Sequence, residues 1–197
     1  MHQLFDLTYL ITNYGYIGIL VIVFLESGIF FPLPGDSLLF TAGLLANQLG
    51  FSVILLAFLV FVAAFLGGLV GYYIGTKLDF LYNYPIFRKI FKKKYTDEAH
   101  KFLEKHGLSA MILSRFVPIV RTFLPIVAGM VRMNYYDFLK YSFVGSVVWS
   151  SVFIFGGYFL GQSFPQIQDY LLYVVIIIVL VSLLPGVYHI HKSRKKD

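Results

Sequence analysis

Apolar residues in this chain come in runs longer than a soluble fold needs, and charge and proline break those runs at only a few places. Residues 51–76 (FSVILLAFLVFVAAFLGGLVGYYIGT) carry no charge, and about 20 helical residues cross a bilayer, so this run predicts a transmembrane helix. A second crossing is predicted over 137–161, with Asp137 and Lys140 at its polar end, and a third over 170–190. Two further apolar stretches do not read as plain crossings. The stretch 14–46 is interrupted by Glu26 and then by Phe31-Pro32-Leu33-Pro34-Gly35-Asp36, and 107–131 contains Arg115, Pro118, Arg121 and Pro125. Proline removes a backbone donor, and broken backbone at membrane depth survives only where protein or a wet cavity satisfies it. Each stretch therefore predicts two half-helices in a re-entrant loop, hinged at Pro32, Pro34 and Gly35 in the first and at Pro118 and Pro125 in the second. Two ordinary kinked spanning helices are the alternative.

An internal repeat favours the re-entrant reading. An offset of 86 positions aligns Phe30 with Phe116, Pro32 with Pro118, Leu38 with Leu124, Ala42-Gly43 with Ala128-Gly129, and Gly71-Tyr72 with Gly75 onto Gly157-Tyr158 with Gly161. Each unit is then a re-entrant loop plus one crossing helix, 14–76 and 107–161. A single crossing per unit makes the two units inverted relative to each other, an architecture that places substrate near the bilayer midplane. The expected fold is an all-α integral membrane protein: an N-terminal segment 1–13, the first repeat, a connector 77–106, the second repeat, a C-terminal transmembrane helix 170–190 and a tail 191–197.

Charge placement orients this scheme. Eight of the sixteen Lys and Arg lie between Lys77 and Lys105 and four more in the tail, where the positive-inside rule places cytoplasmic segments. The connector alternates aromatic and aliphatic residues with bases, which suits a pair of amphipathic helices on the membrane surface. The net charge of +6 thus reads as topology and lipid anchoring, not as nucleic-acid binding. With the connector and tail inside, segments 46–50 and 162–169 fall outside, and neither carries a base. The absence of cysteine excludes disulfides, thiolate metal sites and cysteine nucleophiles. The histidines have no acidic partner at metal-ligand spacing, so neither a metal nor a cofactor is expected.

Glu26, Asp36, Arg115 and Arg121 are the residues that need a reason, since an ionised side chain at membrane depth costs several kcal/mol, roughly 2.5–3.5 on the insertion scale. Two re-entrant tips meeting at the midplane would bring the two acids and two bases together. Arginine forks match phosphate oxygens, so Arg115 and Arg121 are the candidate phosphate ligands. A carboxylate balanced between desolvation and a neighbouring arginine suits proton coupling, which makes Glu26 and Asp36 candidates for it. Mutual neutralisation as buried ion pairs is the structural alternative, and the two are compatible if substrate displaces an internal pair. The glycines at 67, 68, 71, 75, 156, 157 and 161 read as close-packing faces, and Trp149 as a packing or interfacial residue.

The sequence around these charges resembles the DedA family of bacterial membrane proteins, which carry the VTT (SNARE-associated) domain. The carriers are Glu26 with Phe31-Pro32-Leu33-Pro34-Gly35-Asp36-Ser37-Leu38-Leu39 and Ala42-Gly43, and Ser114-Arg115-Phe116-Val117-Pro118-Ile119-Val120-Arg121 leading to Ala128-Gly129. The resemblance spans about residues 10–190. It implies paired re-entrant loops in inverted repeats and transport of lipid headgroups across the bacterial inner membrane, the lipid being undecaprenyl phosphate in some members and phosphatidylethanolamine in others. Proton-dependent homeostasis and drug tolerance are also associated with the family. The acidic and arginine positions it needs fall on Glu26, Asp36, Arg115 and Arg121. Members resembling the undecaprenyl phosphate carriers often read Pro-Ser-Glu where this chain has Pro34-Gly35-Asp36.

Three function classes follow. The leading expectation is a flippase- or scramblase-like transporter of an anionic lipid, with membrane lipids as partners, a cytoplasmic C-terminus and a homodimer left open. A proton-coupled exporter of small ions or drugs would use the same carboxylates without needing two arginines aimed at phosphate. A structural or assembly factor of the envelope would tolerate neutral replacement of the charges but not of the glycine faces. Catalysis is not expected: Ser114-Arg115 matches the Ser-Arg start of a lipid phosphatase motif, but Arg121 stands where the catalytic histidine would be, and no nucleophile or metal site accompanies it.

Overall fold

The computed structural model describes residues 7–28, 35–77 and 107–164, and all regular structure among them is helical. The helices are α1 (Leu7–Gly28), α2 (Gly35–Leu44), α3 (Val53–Lys77), α4 (107–114), α5 (Pro118–Met130) and α6 (Tyr135–Ser163). The predicted hinge residues Pro32 and Pro34, the basic connector beyond Lys77, the helix 170–190 and the basic tail lie outside the described residues.

Among the described residues, α3 and α6 are the two helices long and apolar enough to cross a membrane, with 25 and 29 residues. At about 1.5 Å per residue both exceed the roughly 30 Å of a hydrocarbon core. They correspond to the predicted crossings 51–76 and 137–161 within two residues at each end. Their outward surfaces carry Ile54, Phe58, Leu66, Phe143, Val152 and Phe159, all exposed, as lipid-facing positions should be. α6 starts at Asn134, whose side chain accepts from the Tyr136 and Asp137 amides at 2.9 and 3.3 Å, with Asp137 favourably placed at the positive end of the helix.

The predicted irregular stretches are broken helices. α1 contains Gly15 at φ +53°, ψ −141°, a backbone state open to glycine and strained for other residues, so its helical path is interrupted there. In the second stretch the break comes at Arg115–Val117, between α4 and α5. Pro118 opens α5 in its first turn, where a missing N–H costs nothing. Pro125 is not a hinge: α5 runs through it. Its ring packs where a side chain on Gly71 would sit, 3.2 Å from that position. With no N–H on Pro125, the Arg121 carbonyl loses its usual partner four residues on.

Contacts along the helices fix their relative directions. Tyr72 stacks on Phe138 while Phe61 and Phe65 meet Phe143 farther along, so α3 and α6 are antiparallel. Tyr16 lies on Phe51 and its hydroxyl accepts from the Ser52 amide at 2.9 Å, while Gly28 lies against Gly67, so α1 runs with α3. Gly107 meets Tyr141 and Met111 meets Gly145, so α4 runs with α6. The shorter helices that follow each break cross over. α2 packs on α6, with Gly43 against the Ile154 carbonyl and Gly157 against that of Phe40. α5 packs on α3, with Gly129 against the Tyr72 carbonyl and Gly75 against that of Ile126. In each of these four places a β-carbon would run into backbone, so glycine is what lets the helices approach this closely. The predicted close-packing role holds for Gly67, Gly71, Gly75, Gly157 and Gly161; Gly68 instead faces Ser142 and Arg115. One apolar core, with Val23, Leu38, Leu39, Leu56, Val60, Trp149 and Ile154, lies where α1, α2, α3 and α6 meet. A second, with Tyr72, Met111, Ala128 and Phe138, joins α3 to α4, α5 and α6.

Candidate functional site

Between these cores the structure collects the charges. Glu26 is on the last turn of α1, Asp36 on the first turn of α2 and Arg121 on the first turn of α5. All three are at most 5% exposed. The Arg121 guanidinium divides its two ends between the carboxylates: Nη1 donates to Asp36 Oδ1 and Nη2 to Glu26 Oε1.

Trp149 of α6 completes the cluster. Its ring lies under the guanidinium, 5.0 Å from ring centroid to Cζ, and its Nε1 donates to Asp36 Oδ1 at 3.1 Å. It is 1% exposed, so it is an interior residue and not an interfacial one. The other oxygen of each carboxylate, Glu26 Oε2 and Asp36 Oδ2, is buried with no hydrogen-bond partner among the described residues, as is Arg121 Nε. An unpartnered carboxylate oxygen can take up a proton, and doing so removes the charge that holds the guanidinium.

Gly35 is fixed by the same cluster. A β-carbon there would collide with Glu26 Oε2 and come within 3.2 Å of Arg121 Nη2. Gly35→Ala is therefore expected to push Glu26 off the guanidinium and lower stability by about 1–3 kcal/mol, as overpacking typically does. A thermal melt of the purified variant checks this, and an unchanged melting temperature would show that Glu26 has room to move.

Arg115 stands apart from the other three. It follows the last residue of α4 at 5% exposure, and its Nη2 donates to Ser142 Oγ at 3.1 Å. No carboxylate pairs with it among the described residues, and the charged neighbour acting on it is Arg121, of like sign. With every group ionised, Glu26, Asp36 and Arg121 leave one negative charge in excess, and Arg115 balances it without touching either acid. Glu26, Asp36 and Arg121 thus form a closed three-member cluster, and Arg115 lies apart from it with Ser142.

Sequence reasoning passed over Trp149 and the serines of α6. Ser142, Ser146 and Ser150, four residues apart and at most 1% exposed, line one face of a helix that must cross a membrane. That spacing was the available signal, since buried hydroxyls on a spanning helix face protein or a polar cavity.

The VTT domain family model matches residues 33–159. Protein DedA of Escherichia coli is 42% identical over 205 aligned residues, covering 99% of this chain and 92% of that protein. An uncharacterized membrane protein of Mycobacterium tuberculosis is 44% identical over 188 residues, covering 90% of this chain and 81% of its own. The inner membrane protein YqjA of Escherichia coli is 33% identical over 177 residues, covering 87% and 80% respectively. No solved structure matches.

Proposed function

Because this chain belongs to the DedA family of membrane proteins, we propose that it is a transporter that moves an anionic lipid between the leaflets of the bacterial cytoplasmic membrane without altering it chemically. The lipid is an isoprenyl phosphate such as undecaprenyl phosphate, or a phospholipid. Its headgroup passes through the buried charged site while its tails stay in the bilayer.

The observation that carries this reading is the gathering of Glu26, Asp36, Arg115 and Arg121 at the broken ends of short helices, deep between two spanning helices. A protein that needed only to be stable would gain little from four such charges, because well-packed apolar residues replace buried ion pairs at no loss. Helix directions support an inverted pair of re-entrant units. The helix before each break runs with the spanning helix of its own unit, the helix after it packs on that of the other, and the two spanning helices oppose each other. The unbonded oxygens of Glu26 and Asp36 support proton coupling. A proton there would weaken the hold on Arg121 and open the cluster as substrate arrives. The bases of the connector and tail support a cytoplasmic C-terminus.

Vesicles carrying the purified protein, loaded with labelled undecaprenyl phosphate or labelled phospholipids, with and without a pH gradient, test this. One of these lipids is expected to cross at a protein-dependent rate that falls to the protein-free rate in Arg115→Gln and in Glu26→Gln. Unmutated rates in both variants would overturn the charged route. A pH gradient that drives a small cation or a drug out while no lipid moves would replace lipid transport by export.

A further inference from the structure

Buried serines on membrane helices usually return their hydroxyl proton to a carbonyl of the preceding turn. Ser146 does so onto the Ser142 carbonyl at 2.7 Å, Ser150 onto Val147 at 3.2 Å and Ser114 onto Met111 at 2.9 Å. Ser142 does not. Its Oγ accepts from Arg115, and no acceptor takes its own proton among the described residues. A hydroxyl that accepts from a guanidinium keeps its proton to give to a third group.

The surroundings of Arg115 shape where that third group can sit. Gly68 of α3 and Gly145 of α6 wall the guanidinium: a β-carbon on Gly68 would lie 3.3 Å from Nη2 and 3.2 Å from Ser142 Oγ, and one on Gly145 would lie 3.2 Å from Nε. Two glycines therefore make a slot for a planar cation that no carboxylate among the described residues touches. A buried cation beside a second cation, with its one neutral partner also carrying an unspent donor, is a site arranged for an anion. Arg121 is in the opposite condition, with both ends of its fork occupied by carboxylates.

We infer that Arg115 and Ser142 form a binding pocket for a phosphate oxyanion, the guanidinium supplying the charge and the Ser142 hydroxyl a directed hydrogen bond, within the slot walled by Gly68 and Gly145. The assignment rests on the proposed lipid transport for its physiological ligand and on the local chemistry for the pocket itself. It makes Ser142 a residue that selects for the anion, and it separates the two arginines: Arg115 meets the phosphate, and Arg121 is held by Glu26 and Asp36.

Calorimetric titration of the purified full chain in detergent, with inorganic phosphate, dihexanoyl phosphatidic acid and uncharged dihexanoyl glycerol as three separate probes, tests it. Ser142→Ala is expected to weaken phosphatidic acid binding about tenfold, the loss of one hydrogen bond to a charged group, while Ser146→Ala and Ser150→Ala leave it within about twofold. Ser142→Asp offers Arg115 an internal counter-charge, so it is expected to abolish binding while the melting temperature holds or rises. Unmutated affinity in both Ser142 variants would overturn the pocket, as would equal losses in the three alanine variants or no binding of either phosphate probe. Binding of inorganic phosphate with no preference for phosphatidic acid would uphold the pocket and remove the lipid from it, which would count against lipid transport alone.

Discussion

Arg121→Gln is expected to destabilise the protein by about 3–5 kcal/mol, because it leaves two buried carboxylates facing each other without a cation. Glu26 and Asp36 each spend one oxygen on Arg121, and the second oxygen of each has no hydrogen-bond partner among the described residues. Thermal unfolding in detergent should show a drop of many degrees and no lipid translocation. The mechanism has a specific signature. Glu26→Gln combined with Asp36→Asn in the Arg121→Gln background removes the stranded charges and should recover much of the stability, without recovering transport. If the triple variant melts no higher than Arg121→Gln alone, the loss came from packing around the side chain and not from unpaired charge. The sites share a network, so their effects are not additive and the recovery is the quantity to read.

Trp149→Ala should cost a comparable amount, about 3–5 kcal/mol, as removal of a large buried ring usually does. The ring is buried in the larger core, faces Phe153 at 5.8 Å and carries both the stack under Arg121 and the hydrogen bond to Asp36. Trp149→Phe separates these contributions. It keeps an aromatic face for the guanidinium and gives up the bond to Asp36, so a smaller cost of about 1–3 kcal/mol is expected. Chemical denaturation of the two variants side by side measures the difference. Equal losses would mean that the indole N–H carries the whole effect. Trp149 is the single tryptophan, so its fluorescence in the unmutated protein also reports directly on the state of the charged cluster.

The spanning helices were legible because membrane crossing is a local property: twenty-odd apolar residues in sequence suffice, whatever surrounds them. The interruptions were legible for a similar reason, since charge and proline inside such runs are locally costly and mark broken backbone wherever they occur. The assignment of hinges was less so. Pro118 and Pro125 look alike in sequence, but Pro118 sits in a first turn where no donor is needed. Pro125 is carried within α5 by packing on Gly71 of another helix. Only that contact, 54 positions away, distinguishes them. Trp149 shows the same limit from the other side. Its residue type fits a membrane interface, and its burial against Arg121 follows from how α6 lies against α2 and α5.

From the sequence alone came the membrane class, the two long crossings, the two broken stretches and the four charges that had to meet, each dictated by the cost of placing polar groups in hydrocarbon. Tertiary structure decided how those charges divide. Four helices that approach closely because glycines allow backbone contact bring Glu26, Asp36, Arg121 and Trp149 into one closed cluster. A separate slot between Gly68 and Gly145 leaves Arg115 with Ser142. Pairing in a buried site depends on distances of a few ångströms between residues up to 113 positions apart, and the local chain has no means of encoding it.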